Sequence, residues 1–250
     1  MARLAFDNPR RLNAINAEMW RALPALLEEV ASNPAIRVLL LSGEGERAFC
    51  SGNDISEFET LRADPEAAAA YNALQRRVAE ALQRLPKPVI AAVHGYCLGA
   101  GFEFALMADL RICTLDTRLG IPAVKLGLPY RLEDIAKVVD VVGLARAREM
   151  VLLGRQYSGE ALRDLGLAQL VVPDRGALET AAAGMAAELV ANAPLSLQAA
   201  KLAFAELSRR DAPPDLEAAQ RAADLCYASA DYAEGRVARA EKRSPVFRGA

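Results

Sequence analysis

Apolar strands that alternate with helical segments are the feature that most constrains the fold of this chain. Residues 36–41 and 89–93 are runs dominated by Ile, Val, Leu and Ala, without the polar alternation of a half-exposed strand. Such runs are typical of strands that are covered on both faces. Helical spacing over residues 17–31 and 64–85 precedes each of them. The alternation continues through the first two thirds of the chain and predicts parallel βαβ units in an α/β fold.

The end of the chain follows a different pattern. Residues 175–250 read as helical almost throughout, and the helices break at prolines. This region is too rich in alanine to form a core by itself, so we expect it to pack on the preceding domain or on a neighbouring subunit. We therefore predict a core over residues 1–185 and a helical C-terminal region over residues 186–250.

The amino-acid composition limits the kinds of molecule that this protein is expected to bind. The 250-residue chain has a formal net charge of −2 and no stripe of Lys or Arg, so neither nucleic acid nor an anionic membrane is an expected partner. No apolar segment approaches the ~20 residues of a membrane span, and no basic-then-apolar leader opens the chain. Four scattered cysteines indicate reduced thiols in a cytoplasmic protein. His94 is the single histidine, which excludes a His-based metal cluster, and no metal site is expected.

Residues 90–109 combine a buried strand, a turn, three small residues and a helix that is predicted to begin at Gly101. The small residues Gly99, Ala100 and Gly101 allow a ligand atom to approach their backbone N–H groups closely. These groups lie at a helix N-terminus, where the first donors lack internal partners and the dipole favours negative charge. Glu103 follows at once, so an anion-stabilising backbone lies beside a carboxylate.

A second glycine turn, Ser51-Gly52-Asn53, also follows a predicted strand. If the N–H groups of Asn53 and Ala100 met at one carbonyl oxygen, they would form an oxyanion hole, in which each donor is typically worth ~2.7–4 kcal/mol of transition-state stabilisation. Glu103 lies one helical turn past Ala100, where it could move a proton at the neighbouring carbon. The residues alone leave other interpretations open: the small residues also suit close packing, and Glu103 also suits a dipole-stabilised helix N-terminus.

The chain resembles the enoyl-CoA hydratase/isomerase (crotonase) superfamily in four segments. The main one is the signature at 90–110, in which Gly95, the triplet that ends at Gly101, and Ala108-Asp109 fall in register. The other segments lie in the same order as in the family, and the likeness covers nearly the whole chain. They are residues 8–15, 49–55 and 241–247.

The resemblance implies a crotonase-like spiral of ββα units with a helical C-terminal trimerisation region, assembled as a homotrimer or a dimer of trimers. It implies an acyl-CoA thioester as substrate, with no further cofactor, and a thioester enolate held by the N–H groups of Asn53 and Ala100. Lys242, or Arg10 with Arg11, would meet the coenzyme A phosphates. The residues expected to contact substrate are Ala14, Asn53, Asp54, Ile55, Ser56, Ala100, Ala123 and Lys242.

Two departures from the family pattern matter. Hydratases of the family use two glutamates; Glu103 matches the first, but the second falls at Ala123, where there is no acid. We therefore predict an enzyme of the hydratase/isomerase type, a lyase or isomerase, in which Glu103 is the single acid for proton transfer. The family's usual first strand is expected to be absent or shortened, because the motif around Asn8 lies so near the first residue.

Two other functions stay open. The segment 126–130 resembles the methylmalonyl-CoA decarboxylase branch, in which a tyrosine at the position of Tyr130 lies in the active site, so Tyr130 is a second candidate catalytic residue. That branch has a histidine in place of Asn53 and a threonine in place of Pro122. A non-catalytic acyl-CoA-binding protein, which kept the fold after losing the acid at Ala123, is the third interpretation.

Overall fold

The computed structural model describes residues 1–210 and 212–250, and its strands form two sheets. The strands are β1 Ala2–Phe6, β2 Leu39–Gly43, β3 Ala48–Cys50, β4 Val89–Val93, β5 Tyr96–Leu98, β6 Leu110–Thr114, β7 Arg118–Gly120, β8 Gln156–Tyr157 and β9 Leu170–Val172. The first sheet is wholly parallel, with the order β1-β2-β4-β6-β9; the second has the order β3-β5-β7-β8, and only its β7–β8 pair is antiparallel.

Helices follow or cover these strands. The α-helices are α1 Ala17–Ser32, α2 Phe58–Leu61, α3 Pro65–Gln83, α4 Ala100–Met107, α5 Leu132–Leu153, α6 Ala161–Asp164, α7 Arg175–Ala191, α8 Pro194–Leu207, α9 Leu216–Ala228 and α10 Ala230–Glu241. Short 3-10 helices span Pro9–Arg11, Ile55–Glu57 and Pro122–Leu126. None of the helices described here is both long and apolar enough to cross a membrane.

The chain winds as a spiral of ββα units. The pairs β2/β3, β4/β5 and β6/β7 each give their first strand to one sheet and their second strand to the other. The longer helices that follow these pairs are α3, which comes after the short α2, then α4 and α5. This arrangement confirms the predicted α/β, crotonase-like fold, and it brings the ends of β3 and β5 together as neighbouring parallel strands.

Burial on both faces explains why the strands of the first sheet lack polar alternation. One face contributes to the main core, where Phe6, Phe49 and Phe104 make edge-on ring contacts. The other face packs against α7 through a second apolar cluster that includes Leu178 and Ala182. A strand between two apolar layers gains from an apolar side chain at every position, as the sequence predicted.

Several boundaries differ from the sequence prediction. The strand predicted at 36–41 begins only at Leu39, because a turn that leads into the strand takes up the chain before it: the N–H of Ile36 donates to the Asn33 carbonyl at 3.1 Å. The first strand of the fold is present, with five residues. Helix α4 begins at Ala100 rather than Gly101. Helix α5 consists of two helical parts that meet at Gly143, whose φ of +73° and ψ of 163° are not helical, in agreement with separate helices expected from about Leu132 and from Leu144.

The C-terminal helices pack less completely than the spiral. Helices α8 and α9 contain no buried residue in the described part of the chain, and large apolar side chains on them are exposed, including Phe204, Leu207, Leu216 and Leu225. The predicted boundary at residue 185 falls inside α7, which packs on the first sheet. The division into a core and a C-terminal region therefore stays a prediction.

Candidate active site

The two glycine turns predicted from the sequence lie side by side. Gly52 has φ +111°, a conformation that side chains disfavour, and a Cβ built on it would lie 3.6 Å from the Ala100 nitrogen and 3.2 Å from the Leu98 carbonyl oxygen. The first turn follows β3 and the second follows β5, so the pairing of these parallel strands brings the turns together. Gly101 allows the close approach, because a Cβ there would overlap the carbonyl oxygen of Cys50.

The segment around Asn8 holds the first turn in place. Asn13 is buried, and its amide donates to the carbonyl oxygens of Glu44 and Ala48 at 2.8 and 2.7 Å. Ile15 and the turn are then joined by backbone hydrogen bonds, with the Ile15 N–H donating to Gly52 and the Asp54 N–H donating to Ile15, at 2.8 and 2.9 Å. The family-like opening motif is therefore structural support for the turn.

Two backbone donors at these turns have no acceptor. Within the described residues, neither the N–H of Asn53 nor the N–H of Ala100 donates a hydrogen bond. Ala100 is the first residue of α4, so its N–H also lies at the positive end of the helix dipole. Unpaired donors of this kind can stabilise a negative oxygen.

The side chain of Asn53 is fixed by three donors from α1 and α3. Its Oδ1 accepts from Trp20 Nε1 at 3.0 Å, from the Tyr71 hydroxyl at 3.1 Å and from Gln75 Nε2 at 3.2 Å. All three donor residues are buried. We call Trp20, Asn53, Tyr71 and Gln75 the Asn53 cluster. It anchors the side chain of the residue that directly follows Gly52.

Glu103 lies on α4, one turn beyond Ala100, and both of its carboxylate oxygens have neighbours. The Tyr130 hydroxyl donates to Oε1 at 2.6 Å, and Lys137 Nζ lies 4.0 Å from Oε2. The Glu103 side chain is only 15% exposed. Burial, with the nearby charge of Asp134 as a second cause, raises the pKa of Glu103 to about 7. Such a group can hold or release a proton near neutral pH.

Helix α5 supplies the charges around this carboxylate. Asp134 is buried and accepts from Arg131 Nε at 2.6 Å and from Lys137 Nζ at 3.0 Å. Arg131 Nη1 is buried and has no hydrogen-bond partner among the described residues. We call Glu103, Tyr130, Arg131, Asp134 and Lys137 the Glu103 cluster. The charge of Asp134 raises the proton affinity of Glu103, and the charges of Lys137 and Arg131 lower it.

The other predicted site residues lie in three places. Ala14, Asp54, Ile55 and Ser56 lie on or beside the first turn; Asp54 Oδ1 accepts from the Ser56 N–H and hydroxyl, whereas the Ile55 side chain is exposed. Ala123 lies in the 3-10 helix Pro122–Leu126, partly buried against the main core. Lys242 is exposed at the end of α10, and no hydrogen bond or ion pair among the described residues joins it to the other site residues.

Two reactive groups near the turns are inert. Burial raises the pKa of the Cys50 thiol to about 12, so it stays protonated and cannot act as a thiolate nucleophile. Burial, and then the charge of Arg175, lower the pKa of His94, which keeps the imidazole neutral. The His94 ring lies against the Gly45 carbonyl and the Arg175 guanidinium. Its role is structural.

Sequence reasoning missed the supporting residues of both clusters. Trp20, Tyr71 and Gln75 come from helices far from Asn53 in the chain, and nothing local marks them as its partners. A ridge of charged residues along one helix face begins directly after Tyr130. Its members are three residues apart: Arg131, Asp134 and Lys137. That spacing is a usable signal, although it also describes an ordinary solvated helix face.

Comparison with known proteins places this chain in a family. A sequence model described as enoyl-CoA hydratase/isomerase matches residues 1–250. The 1,2-epoxyphenylacetyl-CoA isomerase of Escherichia coli is 37% identical over 257 residues, with 98% of this chain and 94% of the relative covered. The 2,3-dehydroadipyl-CoA hydratase of the same organism is 32% identical over 246 residues, with 98% and 94% covered.

A solved structure agrees with these sequence matches. The crystal structure of an enoyl-CoA hydratase/carnithine racemase from Magnetospirillum magneticum superposes with a TM-score of 0.91 at 34% identity, with 99% of this chain and 92% of that chain covered. The family model matches the whole length of the chain, and the fold superposes closely on that of a member of the same family. The chain belongs to the enoyl-CoA hydratase/isomerase family and has the crotonase fold.

Proposed function

We propose that the protein acts on an acyl-CoA thioester through a stabilised enolate, with Glu103 as the single residue that transfers a proton. The observation that carries the proposal is a largely buried glutamate with a pKa near 7, one helical turn past an unpaired backbone N–H. Relatives named as a hydratase and as an isomerase of CoA thioesters support the substrate class and leave the reaction type open.

The backbone would bind the thioester carbonyl. In this proposal the carbonyl oxygen accepts from the N–H groups of Asn53 and Ala100, which have no acceptor in the described protein. As a proton leaves the carbon next to the carbonyl, charge develops on the oxygen, and fixed donors stabilise it most at that stage. The CoA thioester is the substrate, and no other cofactor is required for this step.

Glu103 would move the proton. Its carboxylate takes a proton from the acyl group, the C–H electron pair becomes the enolate, and the same carboxyl group later returns a proton to carbon. Tyr130 donates to Oε1, so the substrate proton would go to Oε2, which has Lys137 Nζ 4.0 Å away and accepts no hydrogen bond from the described residues. Because the pKa of Glu103 lies near 7, both the ionised and the protonated forms are accessible at neutral pH.

A single acid favours proton shifts over hydration. Water addition with two carboxylates needs a second acid, and the corresponding Ala123 has no ionisable group. Moving a proton between two carbons of one acyl group needs only one acid, which accepts the proton from the first carbon and donates a proton to the second. We therefore place isomerisation through the enolate ahead of hydration, with acyl chain length unassigned.

The Tyr130–Glu103 contact supports a second candidate, decarboxylation of a malonyl-type thioester. There the C–C bond to the carboxylate breaks, CO₂ leaves, the bonding electrons form the enolate, and a protein acid supplies the proton. The short hydrogen bond from Tyr130 to Glu103 places a hydroxyl beside the carboxyl group, where either could protonate the enolate. In the non-catalytic alternative the same site would bind CoA thioesters without turning them over.

Assembly and phosphate binding extend the proposal. The exposed apolar side chains on α8 and α9 support a homotrimer or a dimer of trimers, in which neighbouring subunits would cover them. Lys242, or Arg10 with Arg11, would bind the coenzyme A phosphates, and the protein would work in the cytoplasm. Light scattering across a dilution series tests the assembly, and a monomer at every concentration contradicts it.

A thioester panel tests the reaction. Wild type, Glu103→Gln and Tyr130→Phe are assayed with enoyl-CoA and malonyl-type thioesters, and both double-bond chemistry and CO₂ release are measured. We expect Glu103→Gln to lower enoyl-CoA turnover by about 10²–10⁴-fold. Glu18→Gln is the matched control, since Glu18 is an exposed acid in the first turn of α1.

Each outcome has a defined consequence. Equal enoyl-CoA rates in wild type and Glu103→Gln contradict the role of Glu103. CO₂ release that survives in Glu103→Gln but fails in Tyr130→Phe favours the decarboxylase. Binding of CoA thioesters without turnover of any of them favours the non-catalytic alternative.

A further inference from the structure

The side-chain amide of Asn53 has one fully occupied end and one free end. Trp20 Nε1 can only donate, so the atom that it contacts at 3.0 Å is the carbonyl oxygen, and the orientation of the amide is settled. Burial raises the pKa of Tyr71 to about 12, so its hydroxyl keeps the proton that it donates to the same oxygen. With Gln75 as the third donor, Oδ1 has no capacity left for a ligand.

The opposite end of the amide, Nδ2, carries two N–H donors. None of the described residues accepts a hydrogen bond from Nδ2, and the atom is not buried, whereas Trp20, Tyr71 and Gln75 are. Nδ2 belongs to the residue whose backbone N–H also lacks an acceptor. Asn53 thus presents donors from both its main chain and its side chain, and three buried residues hold it in place.

We propose that Asn53 Nδ2 selects acyl-CoA thioesters that carry a second carbonyl-type oxygen on C3, either a ketone or a carboxylate. The inference rests on the proposed thioester site, in which the first carbonyl oxygen meets the Asn53 N–H. In this proposal, the residue that binds the first carbonyl oxygen through its N–H also binds the oxygen on C3 through Nδ2. Asn53 is thereby a specificity-determining residue as well as part of the backbone site.

The saturated Oδ1 explains why the selected oxygen accepts only. A hydroxyl brings a donor proton that needs an acceptor, and Asn53 has none to offer. A ketone or carboxylate oxygen brings lone pairs alone and matches two free N–H groups. An acyl group without such an oxygen would leave the two N–H groups unpaired once water is displaced, a penalty that binding sites use for discrimination.

The test is an equilibrium titration that does not depend on turnover. Trp20 is the only tryptophan in the chain and donates to Asn53, so its fluorescence reports on ligands that bind there. Butyryl-CoA, acetoacetyl-CoA and malonyl-CoA are titrated into wild type, with rapid mixing for any ligand that reacts. We expect acetoacetyl-CoA, malonyl-CoA or both to bind about tenfold more tightly than butyryl-CoA. The two oxygen-bearing ligands distinguish a ketone from a carboxylate.

Variants separate selection from simple support of the loop. Asn53→Asp keeps an oxygen for the three donors but replaces the free N–H groups by an acceptor, so the preference should fall to about one or reverse. Tyr71→Phe removes one supporting bond and keeps Nδ2, so the preference should persist. Asn53→Ala serves if Asn53→Asp does not fold, and it should also abolish the preference.

A wild-type preference below twofold for both oxygen-bearing ligands overturns the inference, whatever the variants do. So does a preference that Asn53→Asp and Asn53→Ala leave unchanged. If no CoA thioester binds at all, the proposed function fails together with the inference. If butyryl-CoA binds as tightly as the others, only the inference fails.

Discussion

The Asn53 cluster and the Glu103 cluster stabilise neighbouring parts of one site by different physical means. In the Asn53 cluster, three buried neutral donors converge on one amide oxygen. In the Glu103 cluster, one acid, two cations and a tyrosine surround the carboxylate of Glu103. Neutral hydrogen bonds fix a position and respond little to pH, whereas charges at short range set a proton affinity. The chemistry we propose needs both a fixed carbonyl site and a tunable acid.

This contrast predicts which substitutions change geometry and which change pH dependence. Changes in the Asn53 cluster should lower stability and binding without moving the pH at which activity is half-maximal. Changes in the Glu103 cluster should move that pH. The largest effect is expected in the contact between β3, which leads to Asn53, and α4, which carries Glu103. The smallest effect is expected within the Asn53 cluster.

Substitution in the contact between β3, which leads to Asn53, and α4, which carries Glu103, should have the largest effect. Gly101→Ala places a Cβ against the carbonyl oxygen of Cys50 in the close contact between β3 and α4. Because backbone must move to relieve the overlap, we expect a loss of about 3 kcal/mol or more in unfolding free energy. Gly184→Ala is the control, since nothing lies within 4 Å of its added Cβ. Urea denaturation measures the unfolding free energy of both variants. Similar small changes in the two would contradict a tight contact between β3 and α4 at Gly101.

Removal of the buried acid should change the pH dependence of stability. The pKa of Glu103 is about 7 in the folded protein against an ordinary value of 4.5, so the folded state holds this proton to higher pH than the unfolded chain. Stability is therefore lost as pH rises from 4.5 to about 7 and stays lower above that window. Glu103→Gln removes this loss and should be more stable than wild type by about 3 kcal/mol at pH 8.

The gain of Glu103→Gln should shrink towards pH 5, because fewer unfolded chains are then ionised at this position. Urea denaturation at pH 5 and pH 8 measures the difference. Glu18→Gln, at an exposed first-turn acid, should show no such trend. A pH-independent effect of Glu103→Gln would show that burial does not perturb this carboxyl group.

Loss of the Asp134 charge should affect both stability and pH dependence. Burial is the main cause of the raised Glu103 pKa, and Asp134 is the second, so Asp134→Asn should shift the pH midpoint of activity downwards. It should also cost about 2 kcal/mol of stability, because Arg131 and Lys137 lose their shared partner in a partly buried site. A pH–rate profile and urea denaturation check the two effects.

Asp140 provides the control on the same helix. Asp140 forms an exposed ion pair with Arg210, so Asp140→Asn should cost less than about 1 kcal/mol and leave the pH midpoint in place. Equal shifts from Asp134→Asn and Asp140→Asn would show that general surface charge, and not the Glu103 cluster, sets the proton affinity.

The smallest effect is expected in the Asn53 cluster. Tyr71→Phe removes one of three hydrogen bonds to Asn53 Oδ1 and should cost about 1 kcal/mol. The pH midpoint of activity should not move, because no charge changes. Tyr227→Phe, at a side chain that is 65% exposed, should cost nothing measurable. A shifted midpoint in Tyr71→Phe would remove the distinction between the two clusters.

Local sequence signals are sufficient to predict the backbone of the site. A strand, a glycine turn and a helix start can be recognised within a short stretch, and these signals place Asn53 and Ala100 on such turns. Their proximity follows from the pairing of two parallel strands that each end at a turn. Glu103 is predictable because one helical turn separates it from Ala100.

The supporting side chains require tertiary information. Trp20 and Tyr71 reach Asn53 only because α1 and α3 pack together above the first turn. Asp134 and Lys137 reach Glu103 only because α5 packs on α4. The strand β5 escapes prediction because it has three residues between two glycines, too short for a periodic pattern. Predicted roles for Ala14, Ile55, Ala123 and Lys242 stay predictions.

The most direct test of the central claim is hydrogen exchange at the carbon beside the thioester. Butyryl-CoA is incubated in D₂O with wild type, Glu103→Gln or Glu18→Gln, and loss of the C2 proton signal is followed by NMR. If Glu103 transfers the proton to and from an enolate, wild type and Glu18→Gln exchange alike and Glu103→Gln exchanges at least about 100-fold more slowly. Exchange at the wild-type rate in Glu103→Gln would contradict the account.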